Sequence, residues 1–256
     1  MSTVGKALAL LEVFDVGGLE LGLTELSRRA GYDKATVRRL LVALSSHGFI
    51  EQDSETRLYR LGAGLTRLAR IREVRLPLLQ TALPFLRALA EETGETVHLA
   101  EAGNGTLATI HVEHPARANR VNVDVGAFLP LHSTASGIAY LAQAHPSIRK
   151  EALAQPLTAF TVHTVTDPAA LMSIIEATRR QGYSTNAQGY EEGVYSVAAA
   201  ILGADGFALG TLAVAAPLAR TPQASVSARG RAAAQAAREI SELLNGDRRY
   251  GVALRA

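Results

Sequence analysis

Cysteine and tryptophan are both absent from the 256-residue chain, and aromatic residues make up only 5% of it. Without a thiol there can be no disulfide, no thiolate zinc site and no cysteine nucleophile. A reducing cytoplasm is compatible with that absence, and cytoplasmic residence is the expectation. Long apolar runs are missing as well, with nothing near the roughly 20 residues that span a bilayer. The opening segment MSTVGKALALLEVFD is interrupted by Glu12 and Asp15 and leads to no small-residue cleavage site. It reads as an amphipathic helix of a soluble protein rather than a signal peptide. Catalytic signatures are lacking too. There is no HExxH, no GxSxG elbow and no GxxxxGK[ST] loop, and Gly62-Ala63-Gly64 lacks the rest of a dinucleotide fingerprint. His111 and His114 are three apart on an expected strand, so they face opposite sides; with His98 and His132 they do not spell a three-ligand zinc set. His132-Ser133 is adjacency, not a triad. No metal, no cofactor and no enzymatic activity are expected.

What is present is a 48% hydrophobic fraction and enough length for two domains. The formal net charge is only +2, but it is unevenly spread. Residues 1–80 hold 12 Lys and Arg against 9 Asp and Glu, whereas the remainder is slightly acidic. Arg28, Arg29, Lys34, Arg38 and Arg39 fall within 12 residues that contain a single acid, Asp33. Such a cluster is the footprint of a phosphate-binding element.

The local patterns agree with that. Val4, Ala7, Leu8, Leu11 and Phe14 recur at helical spacing, predicting a helix over 3–15 that ends at Gly17-Gly18. A second helix runs from Leu23 to Ala30 with Thr24 as N-cap. Gly31 supplies a left-handed turn, and Asp33 caps a third helix that turns Val37, Leu40, Leu41 and Leu44 inward. Two short helices on a tight glycine turn make a helix-turn-helix. The outward residues of its second helix then reach the major groove: Lys34, Thr36 and Arg38 for base edges, Arg39 and Arg28 for phosphates. FIEQDSETRLYRLG forms a hairpin around Asp53-Ser54-Glu55, a wing from which Arg57 and Arg60 reach the adjacent backbone or minor groove.

Residues 62–93 read as helical, interrupted at Pro77 and Pro84. Strands follow over Thr96–Ala102 and Leu107–Glu113 around Gly103-Asn104-Gly105, then over Val121–Val125. Helices are expected over 133–144, 147–155 and 168–181, a second hairpin joins Val197–Leu202 to Phe207–Ala216, and a last helix spans 222–245 ahead of a frayed tail at 247–256. This order fits an α+β fold, an antiparallel sheet with helices packed on it. The boundaries expected are 1–62 for the head, 63–76 for a linker helix and 77–247 for a sensing domain.

The run LTELSRRAGYDKATVRRLLVALSSHGFIEQD with the wing ending YRLG resembles the IclR family of bacterial transcriptional regulators. LPLHSTASGIAYLAQ and RRQGYSTNAQGYEEGVYSVAAAILGADGFALGTLAVAAP continue the likeness collinearly to the C-terminal region. The resemblance implies a winged helix-turn-helix, a linker helix and a profilin- or GAF-like effector domain. It also implies dimers, often paired into tetramers, on operators near genes of small-molecule catabolism, with repression the expected sense, and a small, often anionic organic metabolite that binds in the effector domain and changes DNA occupancy.

For the effector site the resemblance implies backbone N–H groups at Ala135 and Ser136, after Thr134, as carboxylate anchors. A helix N-terminus suits that role physically; the alternative is that the small residues only allow close helix–sheet packing. Further ligand-facing positions carried over are Asn186, Ser196, Ala213 and Ala215, with Tyr190 able to close the pocket. Alanines where small-carboxylate sensors carry hydroxyls imply a roomier, more apolar wall and a ligand larger than a two- or three-carbon keto acid. Two other classes stay open: a ligand-binding module whose head docks protein, and an enzyme.

Overall fold

The computed structural model describes residues 1–18, 20–75, 78–103 and 105–246. Pro77 as a helix break, Asn104 of the first hairpin turn and the tail at 247–256 lie outside them. The chain divides into two compact units, Met1–Leu76 and Pro77–Ala256.

In the first unit, helices α1 (Thr3–Gly17), α2 (Leu23–Ala30) and α3 (Lys34–Ser46) precede a two-stranded hairpin, β1 (Ile50–Gln52) with β2 (Tyr59–Leu61), and helix α4 (Ala63–Arg75). Gly31 ends α2 at φ 70° and Asp33 accepts the Thr36 N–H at 2.9 Å to start α3. Thr24 is not the cap of α2; Gly22 holds that position without a side-chain bond. All four inward residues expected of α3 are buried in one cluster with Leu10, Phe14, Leu26 and Ile50. On α1 the helical period is right but the phase is not. Leu10 is fully buried, while Val4 and Leu8 are 67% and 55% exposed, because α2 and α3 cover only the Leu10–Phe14 side. Leu21 exchanges backbone hydrogen bonds with Tyr59 and so ties the hairpin to the helices. The Gly62-Ala63-Gly64 run proves to be a close approach: a Cβ on Gly62 would sit 2.3 Å from the Gly48 carbonyl oxygen.

The second unit is built on a five-stranded antiparallel sheet in the order β4-β3-β7-β6-β5. Its strands are β3 (Thr96–Gly103), β4 (Thr106–Glu113), β5 (Ser184–Ala187), β6 (Val194–Leu202) and β7 (Ala208–Pro217). Both alternating sets of β7 are buried, and β6 buries Val197, Ala198, Ala199 and Ile201 across both of its faces, so both faces must be covered. Helices α6 (Ala135–Gln143) and α8 (Pro168–Gln181) do this on one side, α5 (Leu78–Thr93) and α9 (Gln223–Gly246) on the other; α7 (Pro146–Ala154) follows α6. Pro84 is held inside α5 rather than ending it.

One expectation fails here. Val121–Val125 is not a strand, although its alternation buries Val121. The backbone that pairs with the open edge of β4 is the next segment: Thr109 N–H donates to Ala127 O, Gly126 N–H to Thr109 O, and Leu129 N–H to Leu107 O. Alternation alone carries no information about which carbonyls lie opposite. The short edge strand β5 went unforeseen because STNA has neither length nor β-branched runs to announce it. It pairs with Val194–Leu202 through Asn186↔Ser196, which lengthens β6 beyond the apolar core of the expected strand.

Candidate functional site

Two surfaces carry chemistry, one in each unit. The first is α3. Lys34, Ala35, Arg38 and Arg39 are exposed and Thr36 half-buried, while Val37, Leu40, Leu41 and Leu44 are locked in the core. Among the described residues no acid pairs with Lys34, Arg38 or Arg39. Arg28 is different: its guanidinium grips Glu25 at 2.6 and 2.9 Å, and Arg29 shares the same carboxylate. Those two arginines hold the Glu25 carboxyl at about 2. Arg60 on the wing is likewise engaged, 3.3 Å from Glu51 and 3.7 Å from Glu20. Arg57, with its left-handed backbone (φ 59°), projects from the turn between β1 and β2. Of the seven sequence-derived DNA candidates, the three cations of α3 and Arg57 are thus uncommitted. Arg28 and Arg60 would have to exchange a carboxylate for a phosphate, a modest cost for exposed pairs.

Asp33 orients α3. The Thr36 N–H and hydroxyl hold its carboxyl below the usual aspartate value, so its stabilising contribution is complete above the usual value and is lost as pH falls below it and through the lowered folded one. Asparagine caps as well as aspartate but does not titrate in this range. Asp33→Asn should therefore leave the protein folded at neutral pH while flattening the fall in thermal stability of the first unit as pH drops below about 4. Circular dichroism melts across that range check it.

The second surface is a half-open cavity of about 260 Å³ in the sheet unit. It is walled by the N-terminus of α6 (Thr134, Ala135, Ser136), by His98 of β3, Asn186 of β5, Ser196 of β6 and Ala215 of β7. Its remaining wall is the segment from Val121 to Leu129, with Tyr190 from the β5–β6 turn and Val194 at the start of β6. Thr134 caps α6 by accepting the Gly137 N–H at 2.9 Å and donates its own hydroxyl to Pro130 O. Ile138 N–H is taken by Thr134 O. That leaves the N–H groups of Ala135 and Ser136, the first two of the helix, facing no acceptor among the described residues. From the sheet side, Ser184 donates to Ala135 O at 2.6 Å and pins the helix start in place. The acids near the cavity, Asp124 and Glu191, are on exposed residues at its rim, and among the described residues no Lys or Arg lines it.

Seven of the eight sequence-derived ligand positions meet in this one cavity. The exception is Ala213, which is fully buried against Ala135, Ala139 and Ala198. There it serves helix–sheet packing, so of the two alanines only Ala215 shapes the wall. Asn186 turns part of its amide away from the cavity, Oδ1 accepting the Gly189 N–H at 2.8 Å. Tyr190 packs edge-on against Phe160 with 5.1 Å between centroids. Sequence reasoning missed His98 and the whole 121–129 wall. A lone histidine gave no signal, and the segment was mistaken for a strand. His111 has a partner elsewhere, Glu113 at 2.9 Å.

With this geometry in place, comparison with known proteins is informative. A family model described as bacterial transcriptional regulator IclR C-terminal matches residues 73–242, and one for the IclR helix-turn-helix domain matches residues 3–54. The glycerol operon regulatory protein of Streptomyces coelicolor is 34% identical over 206 residues, covering 78% of this chain and 79% of its own. The HTH-type transcriptional regulator BhcR of Paracoccus denitrificans is 33% identical over 237 residues, covering 92% and 85%. Among solved structures, an IclR-type regulator from Silicibacter sp. superposes with a TM-score of 0.83 at 42% identity, over 94% of this chain and 96% of the other. An IclR homolog from Microbacterium hydrocarbonoxydans, complexed with 4-hydroxybenzoate, gives 0.81 at 26%, over 94% and 100%. No helix among the described residues is long and apolar enough to cross a membrane.

Proposed function

Because this chain belongs to the IclR family of bacterial transcriptional regulators, we propose that it is a ligand-responsive repressor of a catabolic operon, sensing a small organic acid. The head over 1–62 reads operator DNA, the helix over 63–76 links it, and the domain over 77–247 holds the effector. The observation that carries the reading is the face of α3. Lys34, Arg38 and Arg39 stand exposed, with no acid partner among the described residues, on a capped helix whose other face is locked into the core. Such a helix is built to be pressed against a polyanion. The protein works as a homodimer or a pair of dimers in the cytoplasm, placing two such helices in successive major grooves about 10 base pairs apart, or a multiple of that.

The cavity favours a monocarboxylate. Two free helix N-terminal amides and the positive end of the helix dipole suit an anion, and the absence of a lining Lys or Arg suits a singly charged one. A relative complexed with 4-hydroxybenzoate is a precedent for an acid of that size. The volume of about 260 Å³ equals that of on the order of nine waters in the liquid, more than a two- or three-carbon acid fills. A thermal-shift screen in which only glyoxylate or pyruvate stabilises the protein would exclude the larger ligand. Effector binding shifts DNA occupancy only so far as it prefers one arrangement of the heads.

Fluorescence anisotropy on duplexes from upstream of neighbouring catabolic genes tests the reading. With three to four phosphate contacts per head in a dimer, log K should fall against log salt with a slope of about −5 to −7. A head used for protein docking would show no duplex affinity at low salt, and that result would overturn the proposal.

A further inference from the structure

The cavity is braced from outside by a segment that does not line it. Residues 158–164, between α7 and α8, bind to elements on two of its sides. On the side of α6, His132, two residues ahead of the Thr134 cap, donates its Nε2–H to Thr158 O at 2.8 Å. On the side of the β5–β6 turn, the hydroxyls of Thr161 and Thr164 donate to Gln188 O and Gly189 O at 2.6 and 2.7 Å. The same Thr164 oxygen accepts the Phe160 and Thr161 N–H groups at 2.9 Å each, which shapes the segment around it. Gln188 and Gly189 lead into Tyr190, which lines the cavity while 43% exposed and so stands at its opening. Their own N–H groups go to Val194 O and Asn186 Oδ1, both at 2.8 Å. Each backbone N–H and C=O of these two residues is thus engaged. Gln188 is left-handed at φ 60°, a conformation that a residue with a side chain keeps only where its surroundings dictate it. The ring of Phe160 lies between the two sides. Its centroid is 5.1 Å from that of Tyr190, edge-on, and 5.9 Å from that of His132.

We propose that Phe160 is a positioning residue of the effector site, holding the Tyr190 ring at the opening so that the effector meets a wall already in place. The inference rests on the reading of this cavity as the effector site. The backbone bonds settle where the Tyr190 main chain sits but leave its side chain free to turn about χ1 and χ2. Its only ring partner among the described residues is Phe160, and an edge-on contact is a favoured geometry for an aromatic pair. Phe160 is backed in turn by His132, which the Thr158 bond ties to the same segment. The three rings therefore carry the position of the loop before α6 across to Tyr190, without any of that contact entering the cavity through Phe160 itself. A tyrosine ordered in advance spares the complex the cost of immobilising it on binding.

Two measurements on the full chain test it. The chain has no tryptophan, so Tyr190→Trp places a single reporter at the opening. In the ligand-free protein, adding Phe160→Ala should make that tryptophan emit further to the red and quench more steeply with acrylamide. Phe160 is itself exposed, so its truncation leaves the core intact. The second measurement is calorimetry with benzoate, 4-hydroxybenzoate, phenylacetate and 4-methylpentanoate as probes. For the tightest of them Phe160→Ala should weaken binding roughly 2- to 12-fold, the cost of ordering one side chain. In a Tyr190→Ala background the same change should cost less than about twofold, because no ring is left to position. Phe160→Tyr, which keeps the ring, should recover most of the loss. A brace that serves stability alone would lower the melting temperature and cost the same in both backgrounds. Unaltered tryptophan emission and quenching, an affinity that Phe160→Ala does not reduce, or an equal loss in the Tyr190→Ala background overturns the proposal. Failure of all four acids to bind the wild type overturns the carboxylate reading instead, and with it the effector role of Phe160, whatever the tryptophan reports.

Discussion

Arg38→Ala should weaken binding to the operator by roughly 5- to 150-fold per head while costing much less on random duplex. The figure is the 1–3 kcal/mol of discrimination carried by a guanidinium forked onto a guanine, converted at 1.4 kcal/mol per decade. Arg38 is one helical position from buried Val37 and two from buried Leu40, so its Cα cannot retreat from the surface it addresses. Among the described residues it has no acid to release, and its whole interaction with DNA appears as affinity. Arg28→Ala makes the contrast. That guanidinium is already neutralised by Glu25 at 2.6 Å, so its loss should cost less than the loss of Arg38. Arg39→Ala should weaken operator and random duplex alike, as a phosphate contact does. Anisotropy titrations on an operator and a scrambled duplex at one salt concentration separate these cases. Equal losses on both duplexes would demote Arg38 to a phosphate contact; no loss would remove it from the interface.

Gly137→Ala should unfold the sheet unit about 4–8 °C earlier and abolish effector binding. Helix propensity alone argues the other way, since alanine improves on an interior glycine by about 1 kcal/mol. Here close packing decides. A Cβ on Gly137 would lie 2.4 Å from Leu131 Cα, 2.5 Å from its carbonyl oxygen and 2.6 Å from its carbonyl carbon. None of these is the flexible end of a side chain, so backbone must move. Overpacking of this kind costs roughly 1–3 kcal/mol and sometimes more. Three contacts to rigid backbone put the cost at the upper end of that range, so net of the propensity gain about 2 kcal/mol remains, and a unit of this size loses about 2–4 °C per kcal/mol. The movement falls on the turn that sets the Ala135 and Ser136 amides, so the cavity loses its anchor with the stability. Differential scanning calorimetry with and without a bound acid reads both effects. An unchanged melting temperature would mean that α6 has slack the geometry denies.

The head was legible because its signals are local. Gly31 and Asp33 announce a turn and a cap by their own side-chain chemistry. The spacing of Val37, Leu40, Leu41 and Leu44 sorts one helix into a core face and a DNA face without reference to any other element. Where the neighbours matter, the same reasoning slipped. Val4 and Leu8 share the period of Leu10 and Phe14, yet α2 and α3 cover only one side of α1, which nothing in residues 3–15 encodes. The family resemblance assembled most of the cavity through Thr134–Ser136, Asn186, Tyr190, Ser196 and Ala215. It failed at Ala213, which shares a strand face with Ala215 but sits under α6 instead of beside the cavity.

Periodicity, capping chemistry and charge placement are properties of a few consecutive residues, and from them alone the chain determined a DNA-reading head, an α+β partner unit and a cationic helix. The cavity is a property of pairing. Which strand lies beside β3, which backbone closes the edge of β4 and which face α6 covers depend on hydrogen bonds and contacts between residues up to 119 positions apart, as Thr96 and Ala215 are. Those pairings put His98 against Ser136 and turned an expected strand at 121–125 into a wall, because burial is decided by what arrives from elsewhere in the chain.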